Sequence, residues 1–320
     1  MSDWRSAATS ALAAAVARNG DRLGPLLTEA GDHLARLLAS RPPETVAALA
    51  VPVAVHRCLT GGALPPRGLL ASAAATYLAL DILDDRMDGD ASAFWTDRSD
   101  PEIMVVVQVL LVTATQVVGD GSRPQPAARM SVLYREMIST VADGQLRSGD
   151  PLVAATTPTD VDTRIGARSG AMLAGFAELA ALSAGGSPSD VASARTFGYE
   201  LAVARQHLND VTELVSERTT DLRNQTATMA AALTLQRLPP ERRRLLVERL
   251  RRAATDPPDR RRLVADDLAP AIGEVCALIH LHLAGARTHA RLLSDRELGH
   301  DDLERLIEFT AAPLRRQDAR

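Results

Sequence analysis

The stretch YLALDILDDRMDGD, residues 77–90, ends an apolar run with a dense group of aspartates and a single cation, Arg86. The aspartates are Asp81, Asp84, Asp85, Asp88 and Asp90. Like charges this close repel one another, so a chain that folds here needs something to relieve the repulsion. The stretch therefore predicts either a solvated helix end or a bound cation.

Charge spacing favours the bound cation. At about 100° per residue, Asp84, Asp85 and Asp88 project from one side of a helix, and Asp81 lies one turn earlier on that side. Acidic residues on a helix usually form a solvated face, and we read the arginine-rich segment 241–262 in that way because both signs alternate there. Charges of one sign at the end of an apolar helix fit a metal site better.

A second acidic cluster lies in QHLNDVTELVSE, residues 206–217. Its oxygen donors, which helical spacing places along one stripe and its flank, are Asn209, Asp210, Glu213 and Glu217. Oxygen donors without cysteine suit a hard cation, and Mg²⁺ typically bridges such carboxylates to the phosphates of a substrate. The nearby His207 is interpreted as a packing or hydrogen-bonding residue, because one histidine does not make a zinc site.

Composition limits the classes of partner. The chain has 320 residues, 46% of them hydrophobic, and a formal net charge of −4, so it offers no basic field for nucleic acid or anionic lipid. The only cysteines, Cys58 and Cys276, exclude a disulfide framework and a cysteine-rich zinc site. No lysine occurs, so any phosphate contact from a basic side chain comes from arginine, which can grip two oxygens at once.

The apolar windows predict a soluble cytoplasmic protein. Residues 1–20 carry Asp3 and lack a basic leader, so we expect no signal peptide. The most apolar window, residues 103–118, is 16 residues long and contains glutamine and threonine, which makes it too short and too polar for a membrane span.

Helical periodicity runs along nearly the whole chain. Alanine, leucine and arginine dominate the segments, and clusters of Gly, Pro, Ser and Asp separate them as loops do. The valine-rich run 105–112 is the one place where a strand is an alternative, and its length favours a buried helix. The sequence predicts one all-α domain over residues 1–320.

Four motifs, in order, carry a resemblance to a known family. They are DDRMD at 84–88, the Gly144–Gln145 pair, the Arg168–Ser169 pair, and NDVTELVSE at 209–217. Over residues 40–235 the chain resembles the class I isoprenoid synthases, specifically their trans-prenyltransferase branch. The glycine–glutamine pair matches a turn of that family, and Arg168–Ser169 stands where the family has Lys-Thr.

The resemblance implies a helical bundle around a central cavity. In that family the two acidic clusters face each other across the cavity and hold three Mg²⁺ ions, which bind the diphosphate of an allylic prenyl substrate. The metals draw off negative charge as the carbon–oxygen bond breaks, leaving a carbocation and pyrophosphate. The catalytic metal ligands implied here are Asp84, Asp85, Asp88, Asn209 and Glu213, with Asp210 and Glu217 as further ligands.

The resemblance also implies substrate contacts. Arg168 is the expected diphosphate contact, with help from Gln206. Side chains before the first acidic motif set the prenyl length in the family, and the small Ala79 leaves room for a C15 to C20 chain. Tyr77 and Phe176, on motif helices, are the aromatic side chains expected at the prenyl pocket. By analogy we expect a homodimer.

Departures from the family decide the predicted reaction. Chain-elongating members bind a second substrate, isopentenyl diphosphate, through a Gly-Gly-Lys-Arg stretch, of which only Arg41 remains here, and an Arg pair, of which none remains. Gln225 replaces a lysine after the second motif. The sequence therefore predicts a terpene synthase that cyclises its carbocation. The alternatives are transfer to an unusual acceptor, chain elongation, and an inactive regulatory subunit.

Overall fold

A computed structural model describes residues 3–17, 23–88, 95, 97–148, 150–216, 220–293 and 300–318. Throughout these ranges the regular elements are helices, and the only bridge between extended residues joins Pro151 to Thr226. The predicted all-α class is confirmed. The valine-rich run that could have formed a strand lies inside a helix, Asp100–Val117.

The α-helices of the described residues begin and end as follows: α1 Asp3–Val16, α2 Gly24–Ser40, α3 Ala47–Thr60, α4 Arg67–Asp88, α5 Asp100–Val117, α6 Pro124–Ser148, α7 Pro158–Ile165, α8 Ala171–Ser183, α9 Pro188–Val215, α10 Thr220–Asn224, α11 Met229–Arg237, α12 Pro240–Ala253, α13 Pro257–Leu263, α14 Ala269–Leu293 and α15 His300–Asp318. A 3₁₀ turn covers Pro43–Thr45, and π-helical turns cover Gly166–Gly170 and Val264–Leu268.

Two compact units divide the chain. The first comprises Met1–Met137, Leu173–Thr196 and His289–Leu306, and the second comprises Ile138–Met172, Phe197–Thr288 and Ile307–Arg320. The prediction of one domain over residues 1–320 stays a prediction.

Helix α4 is the centre of the first unit, where it packs against α1, α2, α3 and α5. Its run of alanine and leucine favours helix, and residues 68–76 are all buried. Gly68 allows the close approach of α5, because a Cβ there would lie 2.0 Å from the Val117 carbonyl oxygen. Lower in the helix, the Thr76 hydroxyl donates to the Ser72 carbonyl at 2.8 Å, so the Tyr134 hydroxyl, 2.6 Å away, donates to Thr76.

The second unit contains the C-terminal part of α9, which enters it at Phe197. Helix α7 packs against α11, and α12 packs against α10 and α13. Helix α7 begins with a capping box, in which the Asp160 N–H donates to Thr157 Oγ1 at 3.2 Å and the Thr157 N–H donates to Asp160 Oδ2 at 2.8 Å. Thr228 caps α11 in the same unit.

One local prediction is wrong. Gly144 and Gln145 do not form a turn, because α6 continues through both residues to Ser148. The glycine serves close packing instead: a Cβ on Gly144 would lie 2.6 Å from the backbone nitrogen of Arg168.

Two helical runs among the described residues are long and apolar enough to cross a membrane, by length and composition alone: Asp100–Val117 and Pro257–Leu293. Buried helices of soluble proteins pass the same test. The absence of a membrane span and the cytoplasmic location therefore stay predictions.

Candidate functional site

The last turns of α4 carry a part-exposed polar stripe in the first unit. Tyr77, Asp81, Asp84 and Asp85 are half-buried, whereas Ala79 and Ile82 between them are fully buried. The spacing that predicted one side for these carboxylates is therefore present. The side chain of Asp88 lies outside the described residues.

Asp81 is held by neighbours from two other segments. Burial raises the pKa of its carboxyl, and a hydrogen bond from Tyr77 and the charge of Arg41 oppose that rise. Burial also raises the pKa of the Tyr77 phenol, with the Asp81 charge adding to the effect. His33 Nε2 on α2 lies 3.9 Å from Asp81 Oδ2, and the His33 ring meets Trp95 edge-on at 6.3 Å between centroids. Arg41 thus lies within electrostatic reach of a carboxylate in its own unit.

Arg86, the cation inside the acidic stretch, pairs with the first residue of α5. Its Nε donates to Asp100 Oδ1 at 2.9 Å. Both groups are well exposed, so the pair adds little stability. It ties the end of the acidic helix to the start of the next helix.

Two residues assigned to the prenyl pocket lie in the core of the first unit. Ala79 and Phe176 are fully buried, and the Phe176 ring lies 6.4 Å from the Tyr134 ring between centroids. Packing against core residues is what the structure shows for both. Their contact with a prenyl chain stays a prediction.

A chain of hydrogen bonds links three polar residues of the second unit. Ser169 Oγ donates to Gln206 Oε1 at 3.0 Å, and Gln206 Nε2 donates to Asp210 Oδ1 at 2.8 Å. Asp210 is only 5% exposed, and burial raises the pKa of its carboxyl against the lowering effects of the Gln206 hydrogen bond and the Arg164 charge. The predicted diphosphate and metal contacts Gln206 and Asp210 are therefore direct partners.

The rest of the second cluster is spread along the same helix and beyond it. Glu213 Oε1 accepts the Asp221 N–H at 2.6 Å, which joins α9 to the start of α10. Asn209 is exposed, in contrast to its neighbour Asp210. Glu217 lies outside the described residues. The metal-binding roles of Asn209, Asp210, Glu213 and Glu217 stay predictions.

Arg164, on α7, is a member of this cluster that sequence reasoning missed. It is 8% exposed, and its Nη2 donates to the Ala227 carbonyl oxygen. Burial lowers the pKa of the guanidinium, while the charges of Asp210 and Asp221 raise it. In the sequence, Arg164 precedes Arg168 by four residues, which is about one helical turn. That spacing does not indicate that Arg164 lies near Asp210 and Asp221, which only the structure shows.

Gln225, where the family has a lysine, is engaged locally. It adopts φ 57°, a left-handed conformation, and its Oε1 accepts a hydrogen bond from Arg251 Nε at 2.9 Å. Its backbone carbonyl accepts the Leu152 N–H at 2.8 Å. The residue shapes the segment after α10, and its side chain accepts its hydrogen bond from an arginine of α12.

In the described ranges no group of three or more His, Cys, Asp or Glu side chains is arranged as a metal site. Each unit offers carboxylate oxygens of the kind that Mg²⁺ prefers: Asp84 and Asp85 in the first unit, and Asp210 and Glu213 in the second. The buried Asp210 carboxylate costs free energy when ionised, and a bound cation would repay that cost.

Comparison with known proteins establishes the fold. No protein-family model matches the chain, and no curated protein sequence is similar to it. Among solved structures, a decaprenyl diphosphate synthase from Rhodobacter capsulatus matches with a TM-score of 0.81 and 15% identity over 98% of this chain and 96% of that one. A geranylgeranyl pyrophosphate synthetase from Pyrococcus horikoshii matches with a TM-score of 0.77 and 15% identity over 95% and 94%.

A third match was solved with ligands bound. It is a polyprenyl synthase from Caulobacter crescentus complexed with calcium and isoprenyl diphosphate, with a TM-score of 0.74 and 18% identity over 97% of this chain and 93% of that one. The chain thus has the fold of the polyprenyl and geranylgeranyl diphosphate synthases, and the predicted resemblance is confirmed at the level of the fold.

Proposed function

We propose that this chain, which has the fold of the polyprenyl diphosphate synthases, ionises an allylic prenyl diphosphate with the help of Mg²⁺ and releases pyrophosphate. The observation that carries the proposal is the linked set Ser169, Gln206 and Asp210, with Arg164 within electrostatic reach of the buried carboxylate. A buried, hydrogen-bonded carboxylate next to arginine is an arrangement suited to holding a cation and an anion together.

The protein groups have separable tasks in this proposal. Asp84, Asp85, Asp88, Asn209, Asp210, Glu213 and Glu217 are the expected oxygen donors to Mg²⁺, with three ions expected from the resemblance. Arg168 contacts the diphosphate, and Gln206 fixes the orientation of Asp210. When bound, Mg²⁺ would neutralise charge that develops on the leaving pyrophosphate. Ala79, Tyr77 and Phe176 are the residues proposed to limit the prenyl chain.

Cyclisation is the finer proposal for the carbocation. A second diphosphate needs several cations of its own, and of the Gly-Gly-Lys-Arg stretch that binds it in the family only Arg41 remains here. The charge of Arg41 already acts on Asp81, which offsets it within the first unit. A site that binds one diphosphate supports an intramolecular reaction, and the chain is therefore proposed to be a terpene synthase.

Prenyl transfer is the second candidate, and the fold favours it. The matched proteins are by name a decaprenyl diphosphate synthase, a geranylgeranyl pyrophosphate synthetase and a polyprenyl synthase, which join prenyl units rather than cyclise them. Transfer here would use either isopentenyl diphosphate or an acceptor without a diphosphate.

Product analysis separates the two candidates. The purified chain is incubated with Mg²⁺ and geranyl, farnesyl or geranylgeranyl diphosphate, with and without isopentenyl diphosphate. We expect cyclic hydrocarbon or alcohol products from the farnesyl or geranylgeranyl substrate alone. Longer prenyl diphosphates that form only when isopentenyl diphosphate is present would contradict cyclisation and support chain elongation.

A homodimer is proposed from the exposed face of α5. Met104, Val105 and Val112 are 60%, 38% and 55% exposed on this otherwise apolar helix. Apolar side chains in a group on one helix are typical of an interface.

We expect Val112→Glu to weaken a dimer about a hundredfold, because a charge would be buried there. Light scattering after gel filtration measures the change, with Leu292→Glu, at a similarly exposed apolar residue of α14, as the control. A Val112→Glu protein with an unchanged dimer mass would contradict this interface.

A further inference from the structure

The π-helical turn Gly166–Gly170 lies between α7 and α8 and carries Arg168 and Ser169. A π-helical turn accommodates one extra residue, which rotates the side chains within it relative to the flanking α-helices. The direction of Arg168 is therefore set by this turn. Whatever holds the turn in place also fixes the guanidinium.

Two neighbours touch the turn from different helices of the second unit. Gly144 on α6 brings its backbone so close that a Cβ would lie 2.6 Å from Arg168 N. The second neighbour is Tyr199 on α9: a Cβ on Gly166 would lie 2.8 Å from Tyr199 Oη, and one on Gly170 would lie 2.7 Å from Tyr199 Cε2. The Tyr199 ring thus lies directly on both glycines that flank Arg168 and Ser169.

Tyr199 shares a face of α9 with the polar chain described above. It precedes Gln206 by seven residues, which is two helical turns, so both side chains project towards the same side. Gln206 accepts a hydrogen bond from Ser169 within the turn. Helix α9 therefore contacts the turn at two points: the Tyr199 ring packs against its glycines, and Gln206 accepts a hydrogen bond from Ser169.

We infer that Tyr199 is a positioning residue, which holds the π-helical turn so that Arg168 meets the diphosphate; this rests on the diphosphate site of the proposed function. Small residues at 166 and 170 let the ring approach the backbone, and removing the ring leaves a gap that the turn can move into. A misplacement of about 1 Å at a positioning group can cost about a hundredfold in rate.

Inorganic pyrophosphate with Mg²⁺ is the probe for this inference, with affinity measured by calorimetry. Tyr199→Ala is expected to weaken the affinity about tenfold or more, and Arg168→Ala is expected to weaken it at least as much. Tyr199→Phe keeps the ring and is expected to restore the affinity. Phe309→Ala, at another part-exposed aromatic of the same unit, is the control.

Hydrogen exchange of residues 164–172 is the second readout. We expect Tyr199→Ala to speed exchange there and Tyr199→Phe to leave it slow. Faster exchange with a pyrophosphate affinity within about twofold of the original would overturn the inference, because the ring would then hold the turn without positioning Arg168. If Arg168→Ala itself leaves the affinity unchanged, the diphosphate assignment fails, and the positioning role fails with it.

Discussion

Replacing Asp85 by asparagine is expected to slow Mg²⁺-dependent pyrophosphate release by about a thousandfold. The amide keeps the size of the side chain and removes the negative charge that is proposed to bind the metal. Loss of several kcal/mol of electrostatic stabilisation in the transition state corresponds to about that factor. Asp85 is half-buried at the end of α4, so the fold is expected to survive. A continuous assay for pyrophosphate measures the rate, and circular dichroism checks the helical content.

Asp32→Asn is the matched control, because Asp32 is an exposed aspartate within α2 of the same unit. Its rate is expected to equal that of the unmodified chain. Glu213→Gln, in the second unit, is expected to behave like Asp85→Asn. Full activity in either variant at an acidic cluster would contradict the assignment of that cluster as metal ligands.

Replacing Arg164 by methionine is expected to lower the free energy of unfolding by about 3 kcal/mol, because the change removes one partner from a buried charged group. The Ala227 carbonyl loses its donor, and the buried Asp210 carboxylate loses a compensating charge. Methionine keeps most of the apolar stem, so little of the effect comes from a cavity. Urea unfolding followed by circular dichroism measures the change.

Arg244→Met, at an exposed position of α12, is the control for this measurement. It is expected to change the free energy of unfolding by no more than about 0.5 kcal/mol. If Arg164→Met were as stable as that control, Arg164 would have no structural role in the acidic cluster.

Spacing along the helices predicted the elements that carry the two clusters. The apolar run before Asp84 predicted α4, and the pattern around Gln206 predicted the long helix α9. Both predictions succeed because an apolar face repeated over several turns leaves few alternatives to a helix. The order of the motifs predicted the fold, which the structural comparisons confirm.

The details that escaped prediction depend on contacts between helices. Helical periodicity does not reveal a π-helical turn, so the orientation of Arg168 could not be derived from sequence. The turn expected at Gly144 is absent, because α6 continues through this residue, whose missing Cβ allows close packing against the backbone of Arg168. Glycine alone does not tell these two uses apart.

The burial of Asp210 could be derived from its spacing to other buried residues of α9, although an acidic residue on a helix is usually exposed. Asp210 follows His207 by three residues and precedes Leu214 by four, and all three are buried, so they share one face of α9. Asn209 is exposed by the same geometry. His207, Asp210 and Leu214 therefore form one buried face of α9, whereas the predicted stripe of Asn209 and Glu213 lies on the neighbouring, more exposed face.

Pyrophosphate release from geranylgeranyl diphosphate, measured with the purified chain as Mg²⁺ is titrated, tests the proposed ionisation most directly. We expect release without any second substrate, rising with Mg²⁺, abolished by EDTA, and lost in Asp85→Asn. A fully folded chain that releases no pyrophosphate from geranyl, farnesyl or geranylgeranyl diphosphate at saturating Mg²⁺, with or without isopentenyl diphosphate, would contradict it.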